Sequence, residues 1–213
     1  MPLYQTISVS ESTRIYIWKV QESERLLAEN TILTENSKIR VAGMRSEIHR
    51  RGYLSIRHLL AEAGYTDNDL FYDEMGKPHL KDGLNISITH SGIFTGIIVS
   101  SDKKVGIDIE KQREKILPIA HKFTSLEEYR SITNTDALIR KLTIVWGAKE
   151  SLYKIYATRG LSFLNHIYIH DFNADAKTTT GIVLYYRERS FYDIEFLEFE
   201  GYTCVYAIKK ANE

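Results

Sequence analysis

Apolar and polar positions along the chain divide it into stretches of period two and stretches of helical period. Residues 13–20, TRIYIWKV, alternate and are rich in branched and aromatic side chains, which predicts a strand. From about residue 22 to 64 the text turns polar and leucine-rich. Gly43 marks a break between helices, Gly64 a stop, and a helix is expected over 45–63. Short segments follow: LFYDEMG, a GKP turn at 76–78, then NISITHSG and IFTGIIVS as strands punctuated by glycine. The polar interval 100–104 has strand-like text on either side and predicts a boundary between two halves, 1–101 and 102–213. The second half opens on VGIDIEK. After Pro118, helical stretches are expected around KFTSLEEYRSI and over Thr135–Tyr156, then strands within LNHIYIHDF, TGIVLYYRE, FYDIEFLEF and GYTCVYAIKK. The class is α+β.

Composition narrows this. Hydrophobic residues at 43% and charged residues at 26% exclude a disordered chain, and 14 Tyr with 8 Phe suit a strand-rich core. Lys plus Arg equals Asp plus Glu at 28 each, so any site for a polyanion must be local, and neither nucleic acid nor an anionic membrane is an expected partner. The single Cys204 cannot close an internal disulfide and reads as a buried strand thiol. With no leader-like start and no apolar run approaching ~18 residues, a soluble cytoplasmic protein is expected.

Four clusters could carry chemistry. In VGIDIEK, strand alternation puts Asp108 and Glu110 on one side, with Ile107 and Ile109 on the other; two such carboxylates suit a hard cation, though these residues alone favour an acidic strand face toward water, since alternating apolar and charged residues are common. In WGAKESLYK, Trp146, Lys149, Glu150 and Lys154 share a helix stripe, which could equally be an ordinary Glu–Lys surface pair beside a core Trp. In ITHSG, His90 beside Thr89 and a glycine could donate to a phosphate oxygen, where a lone His is more often structural. Between Lys38 and His58, the cations Lys38, Arg40, Arg45, Arg50, Arg51 and Arg57 face Glu47 alone, a surface for a phosphorylated ligand or a plain solvated helix face. No zinc-ligand, GxSxG, Walker or GxGxxG pattern is present.

In their order, these pieces resemble the 4'-phosphopantetheinyl transferases of the surfactin-synthetase-associated type, in which a GKP turn, an SHS element, a G-I-D-I-E strand and a W-x-x-K-E-x-x-x-K helix follow one another. Here they stand as GKP at 76–78, THS at 89–91, GIDIE at 106–110 and WGAKESLYK at 146–154, with KFTSLEEY at 122–129 similar to the family's Phe-Ser-x-x-Glu-Tyr stretch. Thr89 departs from the usual Ser. The resemblance implies two similar halves related by a pseudo-two-fold axis, with coenzyme A in the cleft between them, acting as a monomer. It implies transfer of 4'-phosphopantetheine from coenzyme A to a serine of an apo acyl, peptidyl or aryl carrier protein, with release of adenosine 3',5'-bisphosphate. Asp108, Glu110 and Glu150 would hold Mg2+, or Mn2+, whose ligand chemistry is the same. Lys154, and Lys149 with it, would meet the diphosphate, and His90 would donate to a phosphate oxygen beside Thr89. Lys77 and Pro78 would contact the nucleotide, and Arg45 and Arg50 its 3'-phosphate. Glu150 would accept the serine proton, directly or through a bound water. Two other classes stay open: a catalytically silent module that binds carrier proteins or coenzyme A, and a small nucleic-acid-binding protein using the basic helix.

Overall fold

The computed structural model describes residues 3–125, 132 and 134–211. The chain divides after Asp102 into two compact units, each a mixture of helix and antiparallel sheet.

The first unit holds β1 (Leu3–Ser8), β2 (Thr13–Lys19), α1 (Glu24–Glu29), α2 (Glu35–Gly43), α3 (Glu47–Glu62), β3 (Leu70–Tyr72), β4 (Pro78–Leu80), β5 (Asn85–Ser91) and β6 (Phe94–Ser100). Its main sheet runs β1-β2-β6-β5, antiparallel throughout, while β3 and β4 form a separate two-stranded ribbon. α3 packs on β2 and β6 through Leu54, Leu59 and Leu60, against Tyr16, Trp18 and Ile97 from the sheet. β1 was not expected from the sequence. Its text, LYQTIS, is largely exposed, as an edge strand's can be, and its pairing with β2 defines it. Gly64 ends the α3 region with φ +86°, the left-handed conformation that favours glycine there.

The second unit holds β7 (Val105–Lys111), a 3-10 helix at Glu114–Lys122, α4 (Thr135–Tyr156), the helical turn α5 (Phe163–His166), β8 (Ile167–Ile169), β9 (Thr178–Tyr185), β10 (Glu188–Phe199) and β11 (Tyr202–Lys209). Its sheet runs β7-β11-β10-β9-β8, also antiparallel. The strand expected within LNHIYIHDF contracts to β8, because Ser162 caps a helical turn over its first residues by accepting from the Asn165 N–H. Of the helical stretch expected around KFTSLEEYRSI, residues 122–125 end the 3-10 helix and turn, and residues 126–131 lie outside the described residues.

α4 lies along β7 and β11. Asn134 caps its start, accepting from the Ala137 N–H at 2.9 Å. The close approach depends on two glycines. A Cβ on Gly106 would fall 2.0 Å from the carbonyl oxygen of Ser151, and one on Gly147 would fall 2.8 Å from Val205. The Ser151 hydroxyl closes the contact, donating to the carbonyl oxygens of Gly147 and Val205. Ala148, Leu152 and Ile155 then bury their side chains with Val183, Ile194 and Val205 from the sheet. No helix among the described residues is long and apolar enough to cross a membrane.

Candidate active site

β7 and α4 carry the acidic cluster. Gly106, Asp108 and Glu110 alternate onto the face of β7 that meets α4, while Ile107 and Ile109 occupy the other face and are fully buried. Asp108 is therefore a buried carboxylate, 6% exposed, and not part of a solvated strand edge. Lys154 of α4 donates to Asp108 Oδ1 at 2.8 Å and to the Ile107 carbonyl oxygen at 2.8 Å.

Glu110 and Glu150 are half-buried and feel the same field. Burial lifts the Glu110 carboxyl above its usual range, the negative charge of Asp108 lifts it further, and the polar Trp146 indole near it opposes the rise. Burial, then Asp108, pushes Glu150 up to about 7, with the Lys154 ammonium pulling the other way. One ammonium thus serves three neighbouring carboxylates. By its chemistry the donor set, three carboxylates of which Asp108 raises the other two, suits a hard divalent cation, which would relieve the repulsion that raises Glu110 and Glu150. As the side chains stand, no three His, Cys, Asp or Glu residues among those described are gathered closely enough to hold an ion.

Lys149 departs from the expected role. It is fully buried, and its Nζ donates to the carbonyl oxygens of Phe123 and Phe163, the latter at 3.0 Å. It ties the end of the 3-10 helix and the α5 turn to α4.

The expected ligand residues of the first unit are distributed over α3, β5 and the β3-β4 ribbon. Arg45 is exposed at the α2–α3 junction. Arg50 is committed elsewhere: its Nε donates to Glu24 at 2.8 Å and its Nη1 to the carbonyl oxygens of Met44 and Arg45, so it clamps that junction. Arg57 is likewise internal, buried on Asp67 at 2.8 Å. On β5, Thr89 is buried and His90 exposed, with His90 6.2 Å from the ring of His49 on α3. Lys77 is half-buried in the turn after Gly76, its main-chain N–H held by Asp73, and Pro78 opens β4.

Sequence reasoning missed two features: the packing role of Gly106 and Gly147, and a link from Gln112 through Glu198 to Arg140. In that link, Gln112 donates to Glu198 and Thr203 while Arg140 forks onto both Glu198 oxygens. Neither had a signal in the text.

A buried carboxylate paired to a lysine, beside two raised carboxylates, marks this place as the candidate functional site. Comparison with known proteins points the same way: residues 104–207 match the 4'-phosphopantetheinyl transferase superfamily. The chain is 36% identical over 93 residues to a 4'-phosphopantetheinyl transferase of Bacillus subtilis, covering 42% of this chain and 41% of that protein. It is 31% identical over 138 residues to enterobactin synthase component D of Salmonella typhimurium (strain LT2), covering 60% of this chain and 55% of that protein. The matches thus span about half the length of these relatives.

Proposed function

We propose that this protein transfers 4'-phosphopantetheine from coenzyme A to a serine hydroxyl of an apo acyl, peptidyl or aryl carrier protein, releasing adenosine 3',5'-bisphosphate with the help of Mg2+. The observation that carries this reading is the meeting of Asp108 and Glu110 on β7 with Glu150 and Lys154 on α4, inside the segment that matches the superfamily.

Asp108, Glu110 and Glu150 would hold the cation, which when bound supplies charge neutralisation to the diphosphate. Glu150 accepts the serine proton, directly or through a bound water, as the new oxygen–phosphorus bond forms on the pantetheine side. The bond from that phosphorus to the bridging oxygen breaks, and the bisphosphate departs with the electron pair. Lys154, half-exposed beside Asp108, faces the growing negative charge with its ammonium. Arg45, Lys77, Pro78, Thr89 and His90 contribute nucleotide and phosphate contacts in this reading, and the two units are related halves of one transferase. Lys149 and Arg50 are left out because their donors are engaged within the fold.

The test is intact-mass spectrometry of several apo carrier proteins incubated with the enzyme, coenzyme A and Mg2+. Addition of one phosphopantetheine to a carrier is the expected result. Coenzyme A binding with no carrier modified, across acyl, peptidyl and aryl types, would favour a silent binding module instead.

A further inference from the structure

Two hairpins of the second unit turn in the same geometry but with different residues. β10 passes to β11 through Glu200 and Gly201, at φ +48° and +76°, and β9 passes to β10 through Tyr186 and Arg187, at φ +47° and +68°. A two-residue turn with both φ values positive favours Asn-Gly or Asp-Gly, because a larger side chain in the left-handed region crowds its own backbone. Glycine relieves one position of the first turn, whereas both positions of the second carry bulky side chains. The fold gains little from them in return. Tyr186 is 84% exposed, its ring resting on Tyr185 at 4.4 Å, and Arg187 is exposed and makes no hydrogen bond or ion pair among the described residues. Backbone strain of this kind persists where a segment is put to use.

The turn walls an open cleft of about 600 Å³, with His166, Leu184 and Tyr185 beside it. Tyr185 is the fixed wall: its hydroxyl donates to the Arg159 carbonyl oxygen at 2.8 Å, and its ring meets His166 edge-on at 4.9 Å and Tyr156 at 6.1 Å. His166 accepts the Ser162 main-chain N–H on Nδ1 at 2.8 Å, so its neutral ring carries the proton on Nε2 and donates from there. Arg159, Arg187 and Arg189, each exposed and in the lining or next to it in the chain, stand against Glu188. An aromatic wall with an excess of cations suits an acidic partner that offers an apolar side chain, and Tyr and Arg are the residue types that carry binding energy at such contacts. Tyr156, which touches Tyr185, lies two residues past Lys154, so the cleft stands at the end of α4 where the phosphate contact is proposed. We propose that the Tyr186–Arg187 turn is a docking element for an acidic segment of the carrier protein. An apolar side chain of that segment enters the cleft beside Tyr185, and its carboxylates meet Arg187 and the neighbouring arginines. The inference rests on the reading that the chain modifies carrier proteins.

The test uses the full chain and fluorescently labelled apo acyl, peptidyl and aryl carrier proteins, with binding followed by anisotropy and transfer by intact mass. Tyr186→Asn combined with Arg187→Gly installs the relaxed turn residues. This double variant is expected to melt above the parent, because the strain is gone, and to bind the carrier about 10-fold or more weakly, because the contacts are gone. Its Michaelis constant for coenzyme A should hold. Arg187→Gly alone should flatten the loss of carrier affinity with added salt that the parent shows. A double variant that binds each carrier as tightly as the parent overturns the inference, as does one that melts below the parent. A parent that sediments as a dimer, and as a monomer after the double substitution, assigns the turn to a second copy of the chain and overturns the carrier docking. A parent that neither binds nor modifies any carrier removes the proposed function, and the docking falls with it. A parent that modifies a carrier whose affinity the double variant matches removes the docking alone. Binding without modification, lost in the double variant, keeps the docking and removes the transfer.

Discussion

Lys154 places its ammonium 2.8 Å from Asp108 Oδ1, a residue 46 positions earlier, and not on Glu150, one turn back on its own helix. An i, i+4 Glu–Lys pair on a surface contributes only ~0.3–0.5 kcal/mol, whereas Asp108 is buried and a charge there needs a partner. The buried carboxylate therefore takes the lysine, and the contact joins α4 to β7 where the chemistry is proposed.

That pairing predicts a coupled loss. Asp108→Asn and Lys154→Met should each abolish carrier modification and each destabilise the protein by about 1–3 kcal/mol, since either leaves a partly buried group without its partner. The double variant should be less destabilised than the sum of the two, with a coupling energy of about 1 kcal/mol or more. Urea denaturation of the four proteins measures it, and strictly additive effects would contradict the pairing.

Glu150→Gln should behave differently. Its carboxylate is disfavoured by burial and by Asp108, so an uncharged isostere removes a repulsion. The variant is expected to lose transfer by at least 100-fold in the intact-mass assay while melting at or above the parent temperature at pH 8. A variant that modified a carrier at the parent rate would exclude Glu150 from both the metal and the base role.

Stability should depend on pH through the same residue. Its folded value of about 7 lies above the usual 4.5, so the folded state holds its proton longer than the unfolded chain does. This contribution to stability is full below about pH 4.5, declines as pH rises toward 7, and is gone above it. A divalent cation favours the ionised carboxylates, so Mg2+ should raise the melting temperature more at pH 8 than at pH 5. Melting curves at both values, with and without Mg2+, check this; an equal shift at the two pH values would contradict it.

Arg45 and Arg50 should separate in function. Arg45 is exposed, and Arg45→Ala is expected to raise the coenzyme A requirement about 10-fold while erasing the preference over 3'-dephospho-coenzyme A. Arg50→Ala should instead lower the melting temperature, because Arg50 holds Glu24 and two main-chain carbonyls at the α2–α3 junction. Kinetics with both forms of coenzyme A, alongside melting, distinguish the two. An Arg45→Ala enzyme that still discriminated as well as the parent would remove that assignment.

Much of this was legible in the text of the chain. Period two in VGIDIEK put Asp108 and Glu110 on one side of a strand, and the helical period of 135–156 put Glu150 and Lys154 one turn apart; both follow from backbone geometry alone. The ordered motifs pointed to the superfamily for the same local reason. What the text left open was rotation and partner. Lys149 and Lys154 look alike in sequence, five residues apart on one helix, yet one is sealed among main-chain carbonyls and the other reaches Asp108. Their fates follow from how α4 is set on β7, which the missing side chains of Gly106 and Gly147 permit. Arg45 and Arg50 divide in the same way, because Glu24 comes from another helix. A residue's period follows from its own backbone, but its partner depends on which distant segment packs beside it, and that is decided only when the whole unit folds.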